Sequence, residues 1–328
     1  MRYAQIATIA VLLLGGAAWL FCGETTLTVI VTDEAGKPIP QATVLTGWSR
    51  PIAQGKGWGE EQAGKARGTT DEDGIAQISI GGVGPLIVKH PDYYLDGKTD
   101  EQMMAALPNP VLAMNRPKIP IALLKKLQPV PMYVRKLSYR LIPVLGQPLG
   151  FDLQVADWVA PFGAGKLSDF VIYCEREVRS NDDYTATLRI TFSNKHDGIM
   201  KNETPLRNRI RQLRLPREAP LDGYQSMIEQ RWGRGPAMTE AASRYHPNEN
   251  ANYIFRIRSV ADESGRLQSA IHGKIHGDIV FSPATGQDKP AIAFTYYLNP
   301  GQNRSLEWDC ENNLFGQLPI AEKPSPEP

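Results

Sequence analysis

The stretch TLTVIVTDEAGKPIPQATVLTG, residues 26–47, decides the fold class of this chain. Polar and apolar residues alternate on both sides of a break at Gly36, Pro38 and Pro40. Because successive side chains of an extended chain point to opposite faces, the pattern predicts two strands joined by a turn. Asp33 can bond the backbone ahead of it, and Gly36 permits the positive φ that such turns use. We interpret the stretch as a structural module rather than as a reaction centre.

The rest of the 328-residue chain has the same character. It contains 26 prolines and 29 glycines, and long helical patterns are scarce. This composition is typical of many turns and short strands, so we predict an all-β protein of two domains. Lys and Arg number 36 against 35 Asp and Glu, so no global charge field indicates a nucleic-acid partner or an acidic substrate.

The N-terminus predicts export. Residues 6–21 carry no charge and follow a positively charged start. The run is close to the ~20 residues of a membrane helix and longer than the roughly 7–15 residues of a usual signal core. We predict a signal peptide or membrane-anchoring helix over residues 1–23, and an exported chain held at the membrane in the periplasm or at the cell surface. Cys22 is a candidate for lipidation, although Phe21 stands where bacterial lipoproteins carry Gly or Ala.

Three segments carry a resemblance to a known family. They are VTDEAGKPIPQATV at residues 31–44, TTDEDGIAQI at 69–78 and LIVKHPDYY at 86–94. In their order and spacing they resemble the carboxypeptidase regulatory-like module, a transthyretin-type and Ig-like β-sandwich. The likeness covers residues 24–127. It implies an N-terminal β-sandwich in which each segment is a strand followed by its turn.

A second domain is predicted over residues 128–318. The Pro-broken segment LQPVPMYVRK, residues 127–136, is typical of a hinge, and strand patterns follow it. The cleanest is YTATLRITF, residues 184–192, whose apolar side chains alternate with threonine and arginine. This spacing predicts a second, larger β-sandwich. It is similar to the uncharacterised C-terminal regions of some bacterial envelope proteins, and the tail at residues 319–328 is predicted to be disordered.

Metal ligation is an alternative that the family name suggests. Zinc carboxypeptidases hold the ion with a His and a Glu two residues apart and a distant His. His246 and Glu249 have that spacing in a loop rich in Pro and Asn, and His272 and His276 could add nitrogen ligands from one face of a strand. These four residues are the candidates for a metal-dependent hydrolase or metal-binding protein. We favour solvated histidines, with no metal, cofactor or catalytic residue.

Four other patterns suggest a functional site, but each has a simpler structural interpretation. The loop APFGAGKLSD, residues 160–169, lacks both the first Gly and the Ser or Thr of a phosphate loop. Asp71 and Asp73 could bind calcium, but an Asx-type turn explains them better. Nothing around Ser168, Asp169 or His196 resembles a nucleophile elbow. The arginines of LRNRIRQLRLPR predict a charged, solvated strand edge rather than a basic ridge for an anionic partner; they are Arg207, Arg209, Arg211, Arg214 and Arg217.

Cysteine and tryptophan positions give two further predictions. In an oxidising compartment, Cys174 and Cys310 remain as an even pair once Cys22 is removed or acylated. We predict a disulfide between them, with two separately buried thiols as the alternative. The Gly-rich excursion that contains Trp48 and Trp58 is longer than the module needs, and it is a candidate binding loop. A mobile insert is the simpler interpretation.

The hypothesis that fits these patterns is a non-enzymatic envelope protein. It would be exported, associated with the membrane through its N-terminal segment, and built from two β-sandwich domains. Its partner would be an envelope protein or glycan, and nucleic acid is not expected as a partner.

Overall fold

The chain is almost entirely β-structure, as predicted. The computed structural model describes residues 25–51, 61–107, 117–203, 210–235, 248, 250–283 and 289–324. The hydrophobic N-terminal segment lies outside these residues, and so does Cys22. Within the described part, no helix has the length and apolar character that a membrane crossing would need.

Two compact units make up the described part of the chain. Of the described residues, the first unit contains those up to 90 together with 97–122, and the second contains 91–96 together with those from 123 onward. The sequence predicts the boundary between residues 127 and 128, whereas the structure divides the chain after residue 122.

The first unit contains a three-stranded sheet and a four-stranded sheet. The strands are β1 (Thr25–Thr32), β2 (Thr43–Pro51), β3 (Glu61–Thr69), β4 (Ile75–Ile80), β5 (Leu86–His90), β6 (Tyr93–Lys98) and β7 (Lys118–Ala122), and helix α1 (Asp100–Ala106) follows β6. Residues 93–96 of β6 belong to the second unit. Their orders are β4-β1-β7 and β3-β2-β5-β6, with β1 antiparallel to β4 and parallel to β7. The predicted alternation holds in β1, where Leu27, Val29 and Val31 are completely buried.

Turns in which an Asp is followed three residues later by a Gly connect several consecutive strands. In Asp33–Gly36 and in Asp71–Gly74, the first aspartate accepts hydrogen bonds from the amides two and four residues ahead, at 2.8 to 3.1 Å. Asp262 makes the same two bonds in the second unit. The glycine of each turn has a positive φ, which side chains with a Cβ rarely adopt. An Asx-type turn therefore accounts for Asp71, as the simpler interpretation predicted.

Replacing Gly74 by Ala is expected to destabilise the first unit by about 2–3 kcal/mol. The φ of +71° alone costs about 1–2 kcal/mol, and the new Cβ would stand 2.4 Å from the carbonyl oxygen of Val31. Gly36→Ala is the matched control, because Gly36 has a φ of +82° with no atom within 4 Å of its would-be Cβ. Chemical denaturation should show the larger loss for Gly74→Ala. Equal losses would contradict the steric argument.

The second unit contains a five-stranded sheet and a six-stranded sheet. The strands are β8 (Val130–Leu141), β9 (Leu149–Asp152), β10 (Asp157–Trp158), β11 (Phe170–Ser180), β12 (Asp183–Thr191), β13 (Gly198–Glu203), β14 (Met227–Arg234), β15 (Ala251–Ala261), β16 (Leu267–Ser282), β17 (Ala291–Asn299) and β18 (Trp308–Asn313). The orders are β10-β9-β11-β12-β14 and β13-β15-β16-β17-β8-β18. All neighbours are antiparallel except β18, which runs parallel to β8.

One hydrophobic cluster takes side chains from both sheets. Phe151, Phe170 and Leu188 of the five-stranded sheet belong to it, and so do Phe255 and Phe294 of the six-stranded sheet. The rings of Phe170 and Phe255 meet edge to face, with centroids 5.2 Å apart. The segment at residues 184–192 covers β12 except its first residue and adds Phe192. Ala186, Leu188 and Ile190 of its predicted apolar face belong to this main core, and Phe192 packs against it.

The C-terminal tail corrects one prediction. Residues 319–324 were expected to be disordered, but a 3-10 helix forms at Ile320–Glu322 beside β8. Glu322 pairs with Arg135 at 2.5 Å, and the carbonyl of Ala321 accepts a hydrogen bond from Ser138 at 2.9 Å. These contacts fix the segment because they offset its loss of conformational freedom. Residues 325–328 lie outside the described part.

Candidate functional site

Three polar residues of β16 share one face of the six-stranded sheet. His272, Lys274 and His276 alternate with Ile271 and Ile275, which face the main core. Since alternate side chains of a strand point to opposite faces, the three polar ones lie on the other side, here called the outer face. The two histidines thus share a face, as predicted. The lysine between them was not singled out by sequence reasoning.

Lys274 is completely buried on the outer face. Its Nζ donates a hydrogen bond to the carbonyl of Leu306 at 2.7 Å and lies 5.3 Å from the centre of the Tyr297 ring. Burial lowers the pKa of Lys274 to about 7, although Glu307 acts in the opposite direction. A lysine with such a pKa is partly deprotonated at neutral pH and could act as a nucleophile, but the Nζ of Lys274 is enclosed by protein. Its observed contacts are structural, since it links β16 to the backbone at Leu306.

Glu307 collects hydrogen bonds from distant parts of the second unit. Its carboxylate is 2% exposed and pairs with Arg217. It also accepts hydrogen bonds from the Tyr94 hydroxyl at 3.2 Å and from the amides of Leu127 and Gln128 at 2.9 and 3.0 Å. Burial alone would raise its pKa, but the bonds from Gln128 and Arg217 outweigh this and lower it. The carboxylate is therefore ionised and fully engaged in holding segments together.

The histidines do not form a metal site together. Along a strand, four residues span about 13 Å, whereas Zn–N bonds are about 2.0–2.1 Å long. Lys274, a cation, also stands between them. No group of three His, Cys, Asp or Glu side chains suited to a metal occurs among the described residues. His246 and Glu249 lie outside those residues, so the pairing predicted for them has no structural description.

Burial controls the protonation of both histidines. It lowers the pKa of His272 to about 4, and the nearby Arg256 and Arg304 act in the same direction. It also lowers the pKa of His276 to about 4, with Arg214 and Lys274 adding to the effect. Both rings are therefore neutral at physiological pH. His272 is buried and His276 is half-buried, whereas the sequence favoured solvated histidines.

Cys174 and Cys310 are free thiols, so the predicted disulfide is absent. Cys174 belongs to the main core. Cys310 packs against the cluster of Tyr297 and Trp308 on the outer face, and its Sγ accepts a hydrogen bond from Gln212 at 3.2 Å. The six-stranded sheet lies between the two sulfur atoms. Burial raises the pKa of the Cys174 thiol to about 12, which makes it unreactive.

Trp48 belongs to strand β2 rather than to a loop. Its ring covers three glycines: a Cβ added to Gly64, Gly81 or Gly82 would come within 3.0 Å of it. The excursion in which it lies is largely a hairpin of β2 and β3, with nine paired positions. Trp58 lies outside the described residues, so the binding loop predicted for the two tryptophans stays a prediction.

The arginine-rich segment is not a strand edge. Its described part, residues 210–217, runs without regular structure. Leu213 and Leu215 are buried, while Arg211 pairs with Asp96 at 2.7 Å and Arg217 pairs with Glu307. Arg207 and Arg209 lie outside the described part. Arg211 and Arg217 therefore neutralise carboxylates of the same unit, while Arg214 donates a hydrogen bond to the carbonyl of Arg211 at 2.8 Å.

Asp169 also has a structural role. Arg258 donates to its two carboxylate oxygens at 2.8 and 2.9 Å, and the amide of Leu153 donates at 2.9 Å. Burial raises the pKa of Asp169, although Arg258 opposes this. The adjacent loop binds the chain's own carboxylate: the amides of Lys166 and Leu167 donate to Asp152 at 2.9 and 3.1 Å. These two amides therefore stabilise the chain's own loop by bonding Asp152 instead of binding a phosphate.

An open groove lies at the end of β8. It has a volume of about 420 Å³, and we call it the β8 groove. Trp158 forms part of its wall and donates a hydrogen bond from Nε1 to the carbonyl of Leu141 at 3.0 Å. Three apolar side chains of the groove are exposed, namely Tyr139 (61%), Leu141 (55%) and Phe162 (38%). Local patterns did not predict this concentration of exposed apolar surface.

Charged residues surround the apolar side chains of the β8 groove. Arg140 pairs with Asp157, and Arg135 pairs with Glu322. Lys289 donates to the carbonyl of Pro143 at 3.4 Å, a weak bond to a neutral group. A ligand with apolar surface and a negative charge would match this lining.

A comparison of the chain with protein-family models gives no match. A comparison with curated proteins gives none either.

Proposed function

We propose that this protein is an exported, membrane-associated envelope protein that binds a partner and does not catalyse a reaction. The β8 groove is the observation that carries the proposal. Exposed Tyr and Phe side chains beside Arg and Lys have the composition of binding-site centres rather than of ordinary solvated surface. By contrast, the buried ionisable groups of the second unit, Lys274, Glu307 and Asp169, are all engaged within the protein.

The proposal includes the finer architecture. In it, each unit is a β-sandwich, and the first is a carboxypeptidase regulatory-like module. The repeated Asx-type turns and the two sheets of each unit support this. Residues 1–23 would act as a signal peptide or membrane anchor, because their apolar run has the length of a short membrane span. Detergent fractionation of cells and the mass of the mature N-terminus test the location.

Binding through the groove is tested with a serine triple variant. Full-length protein carrying Tyr139→Ser, Leu141→Ser and Phe162→Ser should be retained at least about tenfold less by immobilised envelope fractions, since each truncation removes contact surface worth about 1 kcal/mol or more. The fractions are membrane protein, cell-wall glycan and lipid. The matched control is Leu221→Ser with Val260→Ser, which removes exposed apolar side chains outside the groove. Equal retention of the triple variant and wild type by all three fractions would refute the proposal.

A further inference from the structure

The β8 groove follows the edge of a strand. Consecutive β8 residues 137–141 all line the groove. This is the lining expected of a cavity that runs along the edge of a strand rather than over one of its faces. The parallel neighbour β18 pairs with β8 only from Val130 to Met132. The side chain of Asn313 then bonds both backbone groups of Val134, at 3.2 and 2.8 Å. In the described part of the chain, no strand pairs with this edge further along.

The irregular edge of β8 favours contacts with the side chains of a partner over backbone pairing with an added strand. Tyr139 has a φ of +48°, and the pairing of β8 with β17 shifts register beside it. Such a bulge interrupts the regular row of backbone donors and acceptors that a continuous strand would need. A partner must therefore gain its affinity from contacts to Tyr139, Leu141 and Phe162. A concave groove of this volume fits one or two protruding side chains, whereas a flat bilayer surface would leave it empty.

Charge indicates the chemistry of that partner. Arg135 and Arg140 each have a carboxylate partner at the groove, while Lys289 contacts only a carbonyl among the described residues. The side chain of Arg140 is also 41% exposed. A carboxylate beside these two cations would gain charge-assisted hydrogen bonds at a site that apolar contacts partly shield from water.

We propose that the β8 groove binds an extended, acidic segment of a partner protein. An aromatic or branched apolar side chain of that segment packs against Tyr139, Leu141 and Phe162, and an adjacent Asp or Glu pairs with Lys289 and Arg140. This inference rests on the proposed binding function and identifies the class of partner.

Selection from a random 12-residue peptide library on the full-length chain tests the inference. Enriched peptides should share an aromatic or branched apolar residue next to Asp or Glu. Their affinity should fall at least about tenfold for Tyr139→Ala and for Lys289→Glu, and it should remain for Leu221→Ala, which removes an apolar side chain of similar exposure elsewhere. No enrichment, or enriched peptides that bind Tyr139→Ala and Lys289→Glu like wild type, would overturn it.

A second probe separates this inference from the proposed function. Vesicles of phosphatidylcholine with phosphatidylglycerol, and soluble cell-wall glycan, are titrated against the same variants. Binding of vesicles or glycan that is lost in Tyr139→Ala, together with no selected peptide, would overturn the peptide assignment while the binding function stands. Absence of binding to peptides, vesicles and glycan would overturn both.

Discussion

Replacing Glu307 by Gln is expected to lower the free energy of unfolding of the second unit by about 3–5 kcal/mol. The substitution keeps the shape of the side chain but removes the charge that faces Arg217 and Lys274. The partly buried Arg217 would then lose its counter-charge, and Lys274 would lose the carboxylate that favours its protonated form. Urea denaturation, followed by circular dichroism at pH 7.5, measures the loss.

The control is Glu218→Gln. Glu218 pairs with Arg304 at 2.9 Å, but its side chain is 64% exposed, so the loss should stay within about 1 kcal/mol. Comparable losses for the two variants would contradict the role assigned to Glu307. Glu307 supports the charge of Lys274, so the two side chains are coupled, and the double variant Glu307→Gln with Lys274→Met should lose less stability than the sum of the two single losses.

The sequence predicted strands well because their signal is local. Alternation in residues 26–47 and 184–192 reports which side chains face a core, and the structure confirms this for Leu27 and Leu188. The turns were also predictable, since an Asp followed by Gly three residues later contains its own hydrogen-bonding partners. What local patterns do not encode is which distant segment covers a polar strand face.

The cluster around Lys274 shows this limit. In GKIHGDIVF, alternate polar residues predict a solvated face, and nothing nearby indicates burial. The cover comes from segments around Tyr94, Arg217 and Glu307, which are far apart in sequence. The arginine segment did contain a missed signal, because Leu213 and Leu215 stand on either side of Arg214. Two large apolar side chains within a charged run indicate that part of the segment is buried.

The β8 groove was missed for a different reason. Its exposed side chains come from the end of β8 and from the loop after β10, and a positive φ at Tyr139 sets the local direction of the strand. No turn residue such as Gly or Asn marks that position, so the sequence reads as a regular strand. Exposed apolar surface that depends on such an irregularity becomes visible only when the strand and the loop are placed together.

Acid is expected to destabilise the second unit through His272 and His276. Both are neutral in the folded state, with pKa values lowered to about 4, whereas in the unfolded chain they take up protons below about pH 6.5. The unfolded state therefore binds more protons between these values, and stability falls as the pH falls. Between pH 7 and pH 5 the loss should be about 2 kcal/mol for each histidine.

Urea denaturation at pH 7, 6 and 5 measures this loss. The charged side chains near His272 are Arg256 and Arg304, and those near His276 are Arg214 and Lys274, so each of these charges opposes protonation. At His272, a hydrogen bond with the backbone of Asn303 acts in the opposite direction. His272→Gln and His276→Gln should each remove about 2 kcal/mol of the difference between pH 7 and pH 5. The double variant should remove the sum, because separated sites contribute additively.

The control for the histidine variants is Thr295→Val, which alters a neutral side chain opposite His276 on the neighbouring strand. It changes the packing of the same face without adding or removing a titratable group, so its pH dependence should equal that of wild type. If the double histidine variant lost as much stability between pH 7 and pH 5 as wild type does, other groups would be responsible for the acid sensitivity. Burial and the neighbouring cations both oppose protonation of the two histidines. The covered outer face therefore loses stability when either ring becomes charged.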